Sequence, residues 1–295
     1  MILVTGATGY TGRFLLRRLV QSGYSLRCLV RPTSDRTELD RCGAEVWTGD
    51  LENPGEVRGA FVDIRRVLHL AHIRFVPTIV ECLDEAIEHI VLVSSLRRFS
   101  RVSSTSLDDV VRGEECALQA GIPFTILRPS MIYGPGDDRN ISHLATYLQR
   151  YKWIPVFGSG RHLQQPVYVE DVVGGILTAL ERPQTIGKSY ALAGPEALTH
   201  NQLIDLVGEV VGVRPVKMHI PVGLALAGFW CLKKVGMQVG IDADQIRRLQ
   251  EDKSFSIAEA QADLDFAPVK FGEGLARIYR KGNVSFSRVD RKKGP

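Results

Sequence analysis

The sequence predicts an α/β protein with a doubly wound parallel sheet, helices on both faces of the sheet and a smaller C-terminal lobe. In the first half of the chain, short apolar runs alternate with amphipathic helical patterns. The runs are continuous stretches of Val, Ile and Leu, which are typical of strands buried on both faces. The second half instead carries glycine-rich loop signals at residues 134–136 and 158–160. This change of pattern predicts a second lobe.

Each predicted element follows from one of these runs. The predicted strands of the first half are Ile2–Thr5, Leu26–Val30, Glu45–Thr48, Val67–Ala71, His89–Ser94 and Phe124–Leu127. The clearest helices between them are Arg13–Gln21, Val76–Ala86 and Leu107–Ala120. The second half adds strands at Pro166–Val169 and Ser189–Ala193, and helices at Glu170–Glu181, Gln202–Val211 and Gly272–Tyr279. Right-handed crossovers would make the strands parallel.

We expect a single unit over residues 1–281. Its sheet core takes mainly residues 1–132 and 166–193, and its substrate lobe mainly residues 133–165 and 194–281. Residues 282–295 hold several Arg and Lys against one Asp, which predicts a basic, flexible tail.

Three glycines spaced three apart follow the first strand directly and precede an amphipathic helix. In such a turn Gly6 permits the tight bend, Gly9 lets the backbone approach a phosphate, and Gly12 lets the helix pack close to the strand. The start of the helix offers free N–H groups and the positive end of its dipole. The pattern therefore predicts a Rossmann-like pocket for a dinucleotide pyrophosphate. The residues expected there are Gly6, Thr8, Gly9, Tyr10, Thr11 and Gly12.

Composition excludes several classes of protein. The chain has 295 residues, is 44% hydrophobic and 24% charged, and carries a net charge of +4, which is ordinary for a soluble globular protein. It has no basic face with interleaved aromatic residues, so we expect no nucleic-acid partner. The five cysteines form no CxxC pair, which indicates free thiols, no metal site and a reducing compartment. The first strand starts at the beginning of the chain, so we expect no signal peptide and a cytoplasmic protein.

The most apolar stretch, Ile220–Leu232, spans 13 residues and contains Pro221 and two glycines. A membrane span needs about 20 residues. We therefore predict no membrane span, and we favour a buried helix over a peripheral contact of residues 220–232 with a membrane surface.

Six short segments occur along the chain in a fixed order. They are Val4–Gly12, Gly49–Leu51, Val67–Ala71, Val91–Ser95, Leu127–Gly134 and Val167–Val172. Together they resemble the short-chain dehydrogenase/reductase superfamily in its extended and atypical branches, which include the NAD-dependent epimerase/dehydratase-like proteins. The segments cover most of the chain.

The resemblance implies a nicotinamide dinucleotide cofactor. It places Asp50 and Leu51 beside the adenine. It places a further set along the dinucleotide and near the nicotinamide, namely Leu70, Ala71, His72, Ser94, Pro129 and Met131. From the residues alone, Asp50 is equally a turn or cap residue, and ordinary packing is favoured for His69 and His72.

The end of the second strand bears on the choice between NAD and NADP. Arg31 stands 19 residues past Gly12, close to the position that reads the adenosine ribose. A guanidinium holds a phosphate in a forked geometry, and Ser34 adds a hydroxyl donor. These residues favour NADP. Asp35 is the counter-argument, because a small shift in register brings its carboxylate to the ribose hydroxyl of NAD.

The catalytic relay of the resembled superfamily is missing. Its redox members carry Tyr-x-x-x-Lys on the helix after the fifth strand, where the tyrosine transfers a proton. The present chain has no lysine before Lys152 and no tyrosine between Tyr24 and Tyr133. The tyrosine and lysine positions fall near residues 106–107 and 110–111, which are Ser-Leu and Val-Val. We therefore expect that the usual proton relay does not operate.

Any chemistry then needs another acid or base. The candidates are Tyr133, His72 and Ser95, together with the carboxylates Asp108, Asp109 and Glu114. Each taken singly is better explained by a structural role, and we expect the carboxylates to form a solvated face at the helix start.

Substrate contacts are expected from two loops. Arg97 and Arg98 follow the fifth strand, and Arg161 and Gln165 come from the second half. They either clamp an anionic small molecule such as a nucleotide-sugar or form a solvated basic loop.

Two functions follow from the sequence. The first is an epimerase/dehydratase-like enzyme or oxidoreductase that uses NADP or NAD on a nucleotide-sugar or another carbonyl or hydroxyl compound. The second is a catalytically silent NAD(P)H-binding sensor, regulator or assembly subunit of a redox complex. We favour the enzyme. No sequence signal indicates an oligomeric state.

Overall fold

Seven parallel strands form the central sheet of this protein, seen in a computed structural model that describes residues 1–234 and 242–279. The described strands are β1 Ile2–Thr5, β2 Leu26–Val30, β3 Glu45–Thr48, β4 Arg66–His69, β5 His89–Val93, β6 Phe124–Pro129, β7 Ile132–Tyr133, β8 Trp153–Phe157, β9 Leu163–Gln164, β10 Val167–Tyr168, β11 Ser189–Leu192, β12 Leu198–Thr199 and β13 Val216–Ile220. The order in the sheet is β11-β6-β5-β4-β1-β2-β3.

The strands of the sheet are connected largely through helices. The described helices are α1 Tyr10–Gln21, α2 Thr37–Cys42, α3 Pro54–Val57, α4 Val76–Cys82, α5 Thr105–Gln119, α6 Ile141–Tyr151, α7 Val169–Glu181, α8 His200–Val210, α9 Val222–Lys234, α10 Ala243–Arg248, α11 Ala258–Leu264 and α12 Phe271–Tyr279. Short 3₁₀ turns lie at Arg58–Phe61, Ile73–Phe75, Leu96–Phe99 and Pro183–Thr185.

The strand order reverses beside β1. Val4 of β1 lies in register with Cys28 of β2 on one side and Leu68 of β4 on the other, and all of these pairings are parallel. In open parallel sheets, ligands bind outside the carboxyl ends of the strands at such a reversal. The fold therefore places a crevice above Thr5, at the end of β1.

Helices cover both faces of the sheet, and its strands are therefore buried on both sides. On one face Leu15 and Leu19 of α1 pack with Ile176 of α7. On the other face Ile79 of α4 packs with Val110 of α5. These two layers confirm the predicted α/β, doubly wound class with helices on both faces of a parallel sheet.

The smaller lobe has an apolar cluster of its own. Leu148 of α6, Leu203 of α8 and Leu275 of α12 are buried there around Tyr133. The strand pairs β8–β13 and β9–β12 complete this lobe. Thr199 caps α8, because its hydroxyl accepts the Gln202 N–H at 3.1 Å.

The prediction of a buried helix at residues 220–232 is wrong. Residues 222–234 do form α9, but none of its residues up to Trp230 is buried, and Leu224 is 67% exposed. The helix is apolar on every side, so its sequence pattern does not distinguish a core helix from an exposed one. No described helix combines the length and the apolar character that crossing a membrane requires. The expected basic tail, 282–295, falls outside the described residues.

Candidate dinucleotide and substrate site

The glycine turn connects β1 to α1 in a conformation that only glycine accepts easily. Gly6 has a φ of +74°, and a Cβ on it would come within 2.6 Å of the Ala71 backbone nitrogen. A Cβ on Gly12 would overlap the Gly6 carbonyl oxygen. The Gly9 N–H donates to that same oxygen at 3.0 Å, which closes the turn. The three glycines therefore hold the helix start tightly against the ends of β1 and β4.

The start of α1 suits an anion. Gly9, at the N-cap, has no side chain to bond the helix amides, and the first turn contains no acidic residue. A helix start leaves several N–H groups without intrahelical partners, and the positive end of the dipole lies there. The turn therefore fits the pyrophosphate of a dinucleotide, which would accept from these amides. The Tyr10 hydroxyl turns away and donates to the Pro135 carbonyl at 3.2 Å.

A buried histidine fixes the neighbouring strand ends. The His69 Nε2 lies 3.3 Å from the His72 carbonyl, so it carries the proton, and Nδ1 accepts from the Thr5 hydroxyl at 2.8 Å. The Thr5 oxygen in turn accepts the Ala71 N–H at 3.4 Å. Burial lowers the pKa of His69 to about 4, so the ring is neutral near pH 7. As the residues alone favoured, His69 has a packing role.

A cavity of about 720 Å³ opens at the carboxyl ends of β5 and β6. Four residues expected at the cofactor or substrate contribute to its wall, namely Arg97, Pro129, Met131 and Gln165, as does the catalytic candidate Ser95. The facing wall comes from residues 248–255, between α10 and α11. We call this cavity the cleft. It lies at the same edge of the sheet as the glycine turn.

Three cations converge in the cleft without a carboxylate partner within ion-pair distance among the described residues: Arg97, Arg248 and Lys253. The Lys253 ammonium donates to the Gln164 amide oxygen at 3.3 Å, and Arg97 donates to the Ser106 hydroxyl at 2.6 Å. Desolvation lowers the pKa of Lys253, Glu251 opposes that shift, and the two guanidinium groups add to it. Desolvation and Arg248 likewise lower the pKa of Arg97. We refer to this set as the cleft cations.

The rest of the cleft wall is partly apolar. The rings of Phe99 and Phe255 lie 5.9 Å apart, and Leu96 and Met131 also contribute to the wall. Gln165 is buried and satisfied by backbone groups, since its Oε1 accepts the Phe255 N–H at 2.7 Å and its Nε2 donates to the Gly194 carbonyl at 2.7 Å. Gln165 therefore supports the wall more than it offers free polar atoms.

Two family models match this chain. A model of NAD(P)H-binding proteins matches residues 6–146, and a model of the NAD-dependent epimerase/dehydratase family matches residues 113–193. The two matches together span residues 6–193, and this part of the chain is therefore similar to NAD(P)-binding, epimerase/dehydratase-like proteins. The first match contains the glycine turn, and the second contains the C-terminal half of α5 together with β6 and α7.

Similar proteins carry different names. "NADH dehydrogenase [ubiquinone] 1 alpha subcomplex subunit 9, mitochondrial" of Arabidopsis thaliana is 27% identical over 99% of this chain and 81% of its own length. Ceramide reductase of Caulobacter vibrioides is 26% identical over 77% of this chain and 76% of its own. 2-Alkyl-3-oxoalkanoate reductase of Stenotrophomonas maltophilia is 23% identical over 94% of this chain and 98% of its own length.

The fold is shared with solved epimerase structures. UDP-glucose 4-epimerase of Thermotoga maritima superposes with a TM-score of 0.74, at 19% identity, over 95% of this chain and 97% of the epimerase. The likeness shows that the two proteins share their fold through the second lobe as well.

A buried ion-pair cluster lies where short-chain dehydrogenases/reductases place their relay helix. Glu114 of α5 is fully buried, and Arg128 holds it with two bonds, from Nε at 3.0 Å and from Nη2 at 2.8 Å. Arg98 Nε lies 3.2 Å from the same carboxylate, and the Ser94 hydroxyl donates to it at 2.5 Å. We call these four residues the Glu114 cluster. The prediction of a solvated face is wrong for Glu114, and Arg98 points toward this cluster and does not line the cleft.

The other catalytic candidates also have structural partners. Tyr133 is fully buried between Tyr168 and Phe271 and donates to the Phe271 carbonyl at 3.4 Å. Ser95 lies in the cleft wall, where its hydroxyl accepts the Arg97 N–H at 3.1 Å. The exposed His72 ring accepts the Arg74 N–H at 3.3 Å through Nδ1. These bonds favour structural roles for all three candidates.

The ribose end of the expected cofactor site has a free arginine. Arg31 is exposed at the end of β2, and its carbonyl accepts the Ser34 N–H at 3.0 Å. Asp35 is already engaged, because it accepts from the Thr37 hydroxyl at 2.6 Å and from the Thr37 N–H at 3.0 Å. These bonds lower the pKa of Asp35, and Arg13 lies near enough to lower it as well.

At the expected adenine end of the site, Asp50 stabilises a turn. Asp50 accepts the Glu52 N–H at 3.0 Å, which is the turn role that its position equally predicted, and Leu51 is buried. Leu70 and Ala71 lie against the glycine turn. Arg161 is exposed and is absent from the cleft wall.

Sequence reasoning missed the facing wall. Arg248, Lys253 and Phe255 lie in a segment without a motif or periodic pattern, and no local signal relates them to β5. Among the described residues, no group of three His, Cys, Asp or Glu side chains is arranged to hold a metal ion.

Proposed function

We propose that this protein binds NADP(H) on the glycine turn and reduces a carbonyl compound in the adjoining cleft. The observation that carries the proposal is the uncapped start of α1 at the same sheet edge as a cavity of about 720 Å³. The first-turn amides of Tyr10, Thr11 and Gly12 would hold the pyrophosphate. Asp50, Leu51, Leu70 and Ala71 would border the adenosine half, and Pro129 and Met131 the nicotinamide. When bound, the reduced dinucleotide supplies a hydride.

Reduction adds that hydride to the carbonyl carbon and a proton to the carbonyl oxygen. In this chain no tyrosine–lysine pair supplies the proton, so it would come from solvent through the open cleft. General acid catalysis contributes about 10²- to 10⁴-fold to such steps, so we expect slow turnover.

NADP is favoured over NAD by the surroundings of Arg31. The Arg31 guanidinium is free of ion pairs among the described residues, and Arg13 lies near enough to Asp35 to lower its pKa. Asp35 would have to break two bonds to Thr37 before it could accept from a ribose hydroxyl. A 2′-phosphate would instead meet two arginines.

A second candidate function is a catalytically silent NAD(P)H-binding subunit of a redox complex. The Glu114 cluster favours it, because the Ser94 hydroxyl already donates its proton to a buried carboxylate and so would not donate it to a substrate. The Arabidopsis thaliana relative, named as a subunit of NADH dehydrogenase, aligns over 99% of this chain. The four described cysteines are free thiols, which supports a reducing compartment such as the cytoplasm for either function.

Binding of the cofactor is tested by titrating the protein with NADPH and NADH and following the nicotinamide fluorescence. We expect NADPH to bind more tightly, and Arg31→Ala to weaken NADPH by roughly 10- to 100-fold while leaving NADH unchanged, since a charge-assisted bond contributes about 1.5–3 kcal/mol. Arg65→Ala is the matched control, because Arg65 is an exposed arginine just before β4, at the opposite edge. Equal loss in both variants, or preference for NADH, would reject the assignment of NADP.

Turnover separates the two candidates. Consumption of NADPH with long-chain 3-oxo acids, simple ketones or UDP-4-keto sugars supports the reductase. Tight NADPH binding without consumption across this panel would support the silent subunit.

A further inference from the structure

The cleft cations form an unusual group, because they are close together and none of them forms an ion pair with a carboxylate of the described residues. Glu251 lines the cleft too, but it is engaged by the Ser100 hydroxyl at 2.8 Å and by the Arg101 N–H at 2.6 Å. Asp252 accepts the Leu163 N–H at 2.8 Å. Glu251 and Asp242 influence the cleft cations only through space, without forming an ion pair. Among the described residues that line the cleft, the cations Arg97, Arg101, Arg248 and Lys253 therefore outnumber the carboxylates Glu251 and Asp252, and none of the cleft cations is in an ion pair with either carboxylate.

An unsatisfied donor lies in the same wall. Gln164 is 5% exposed, and its Nε2 has no hydrogen-bond acceptor among the described residues, while its Oε1 accepts from Lys253. A buried N–H donor without an acceptor costs about 1–3 kcal/mol. The Gln164 amide and the Lys253 ammonium therefore present donors that an anionic oxygen would satisfy.

An apolar surface lies in the wall next to these donors. Phe99 is 55% exposed, its ring packs near Phe255, and Leu96 and Met131 complete the patch. Because the Gln165 amide is bound to backbone on both sides, it has little capacity left to read the edge of a nucleotide base. The patch instead suits a hydrocarbon chain, whose burial contributes about 0.8 kcal/mol per CH₂ group.

We infer that the cleft takes an anionic amphiphile, with a carboxylate or phosphate group on the cleft cations and Gln164 and an apolar chain along Phe99 and Phe255. This inference rests on the proposed reductase function and names its substrate class. The carbonyl to be reduced would lie between the anionic group and the chain, on the side of Met131.

Calorimetry on the full-length protein tests the inference with decanoate, decyl phosphate, decanol and UDP as probes. We expect decanoate or decyl phosphate to bind at least tenfold more tightly than decanol and UDP, and the tighter of the two identifies the anionic group. Lys253→Met should weaken the anionic probe at least tenfold. Lys270→Met, at an exposed lysine before α12, should leave it unchanged.

Phe99→Ala provides an independent arm, because an exposed side chain can be truncated without loss of the fold. We expect this variant to bind octanoate and decanoate equally, whereas the wild-type protein should prefer decanoate. The inference is overturned if decanol binds as well as decanoate, if Lys253→Met has no effect, or if UDP alone binds.

NADPH titration of the same samples distinguishes failure of the two proposals. Protein that binds decanoate but no dinucleotide would defeat the proposed function. Protein that binds NADPH but discriminates none of the probes would defeat the assignment of the cleft.

Discussion

Two groups of charged side chains flank the 3₁₀ turn Leu96–Phe99, and they differ in how their charges are paired. In the Glu114 cluster, one fully buried carboxylate binds two arginines and a serine. The cleft cations have no such carboxylate in the described structure, although Arg97 is next to Arg98 in the chain. A group that is paired internally stabilises the fold, whereas an unpaired group is available to a ligand. This comparison favours a structural role for Arg98 and supports the proposed binding role of Arg97.

The largest expected effect is on the paired group. Glu114→Gln would leave Arg98 and Arg128 largely buried without a counter-charge, since their side chains are 23% and 16% exposed. Removing one partner of a buried pair costs about 3–5 kcal/mol. We expect a loss of this size in the free energy of unfolding, measured with urea at pH 7.

The matched control is Glu88→Gln. Glu88 pairs with Arg65 on the surface, where the side chains are 48% and 71% exposed. Surface pairs contribute about 0–1 kcal/mol, so this variant should be nearly neutral. A Glu114→Gln variant as stable as the control would show that the cluster is not a structural clamp.

The sequence alone predicted only some of the residues in these two groups, namely Arg97 and Arg98. It predicted the sheet, the order of its elements and the glycine turn, because each depends on neighbouring residues along the chain. It treated Arg97 and Arg98 alike, since adjacent residues on an irregular turn have no period that separates inward from outward positions. The sequence predicts a solvated face for Glu114 because it stands on the same helix as Asp108 and Asp109. Its ion-pair partners, however, come from β6 and the 3₁₀ turn, which are distant from it in the chain or irregular. Lys253 could not be assigned, because Gln164 and Arg97, which face it in the cleft, precede it by 89 and 156 residues in the chain.

The next largest expected effect is a pH-dependent change in the free energy of unfolding, and it comes from His69, a buried side chain without an ion-pair partner. Its pKa is about 4 in the folded protein and about 6.5 in the unfolded chain. Between these values the unfolded state binds a proton that the folded state excludes, so stability falls as pH drops from 6.5 towards 4. His69 can contribute at most about 3 kcal/mol to this loss. His200, whose pKa burial also lowers to about 4, adds to it in the same pH range.

Urea denaturation at pH 7.5 and pH 5 checks this expectation. His69→Gln should lose less stability between the two pH values than the wild-type protein does. His143→Gln, at an exposed histidine of α6, should keep the wild-type difference. The same pH dependence in all three proteins would exclude His69 as a contributor.

The smallest expected effect has the opposite sign and belongs to the cleft cations. Because burial disfavours the charge of Lys253 and Arg248 and Arg97 repel it, with only Glu251 attracting it through space, Lys253→Met should raise the free energy of unfolding by about 1 kcal/mol, as for other small stabilising changes. Sulfate that binds among the cleft cations would stabilise the folded state by mass action. The melting temperature of the wild-type protein should therefore rise more than that of Lys253→Met when sulfate replaces chloride at constant ionic strength.

Lys270→Met should respond to sulfate as the wild-type protein does, because its substitution leaves the cleft intact. If Lys253→Met instead lowers stability and all three proteins gain equally from sulfate, Lys253 is a packing residue, and the contrast between a paired and an unpaired group no longer holds.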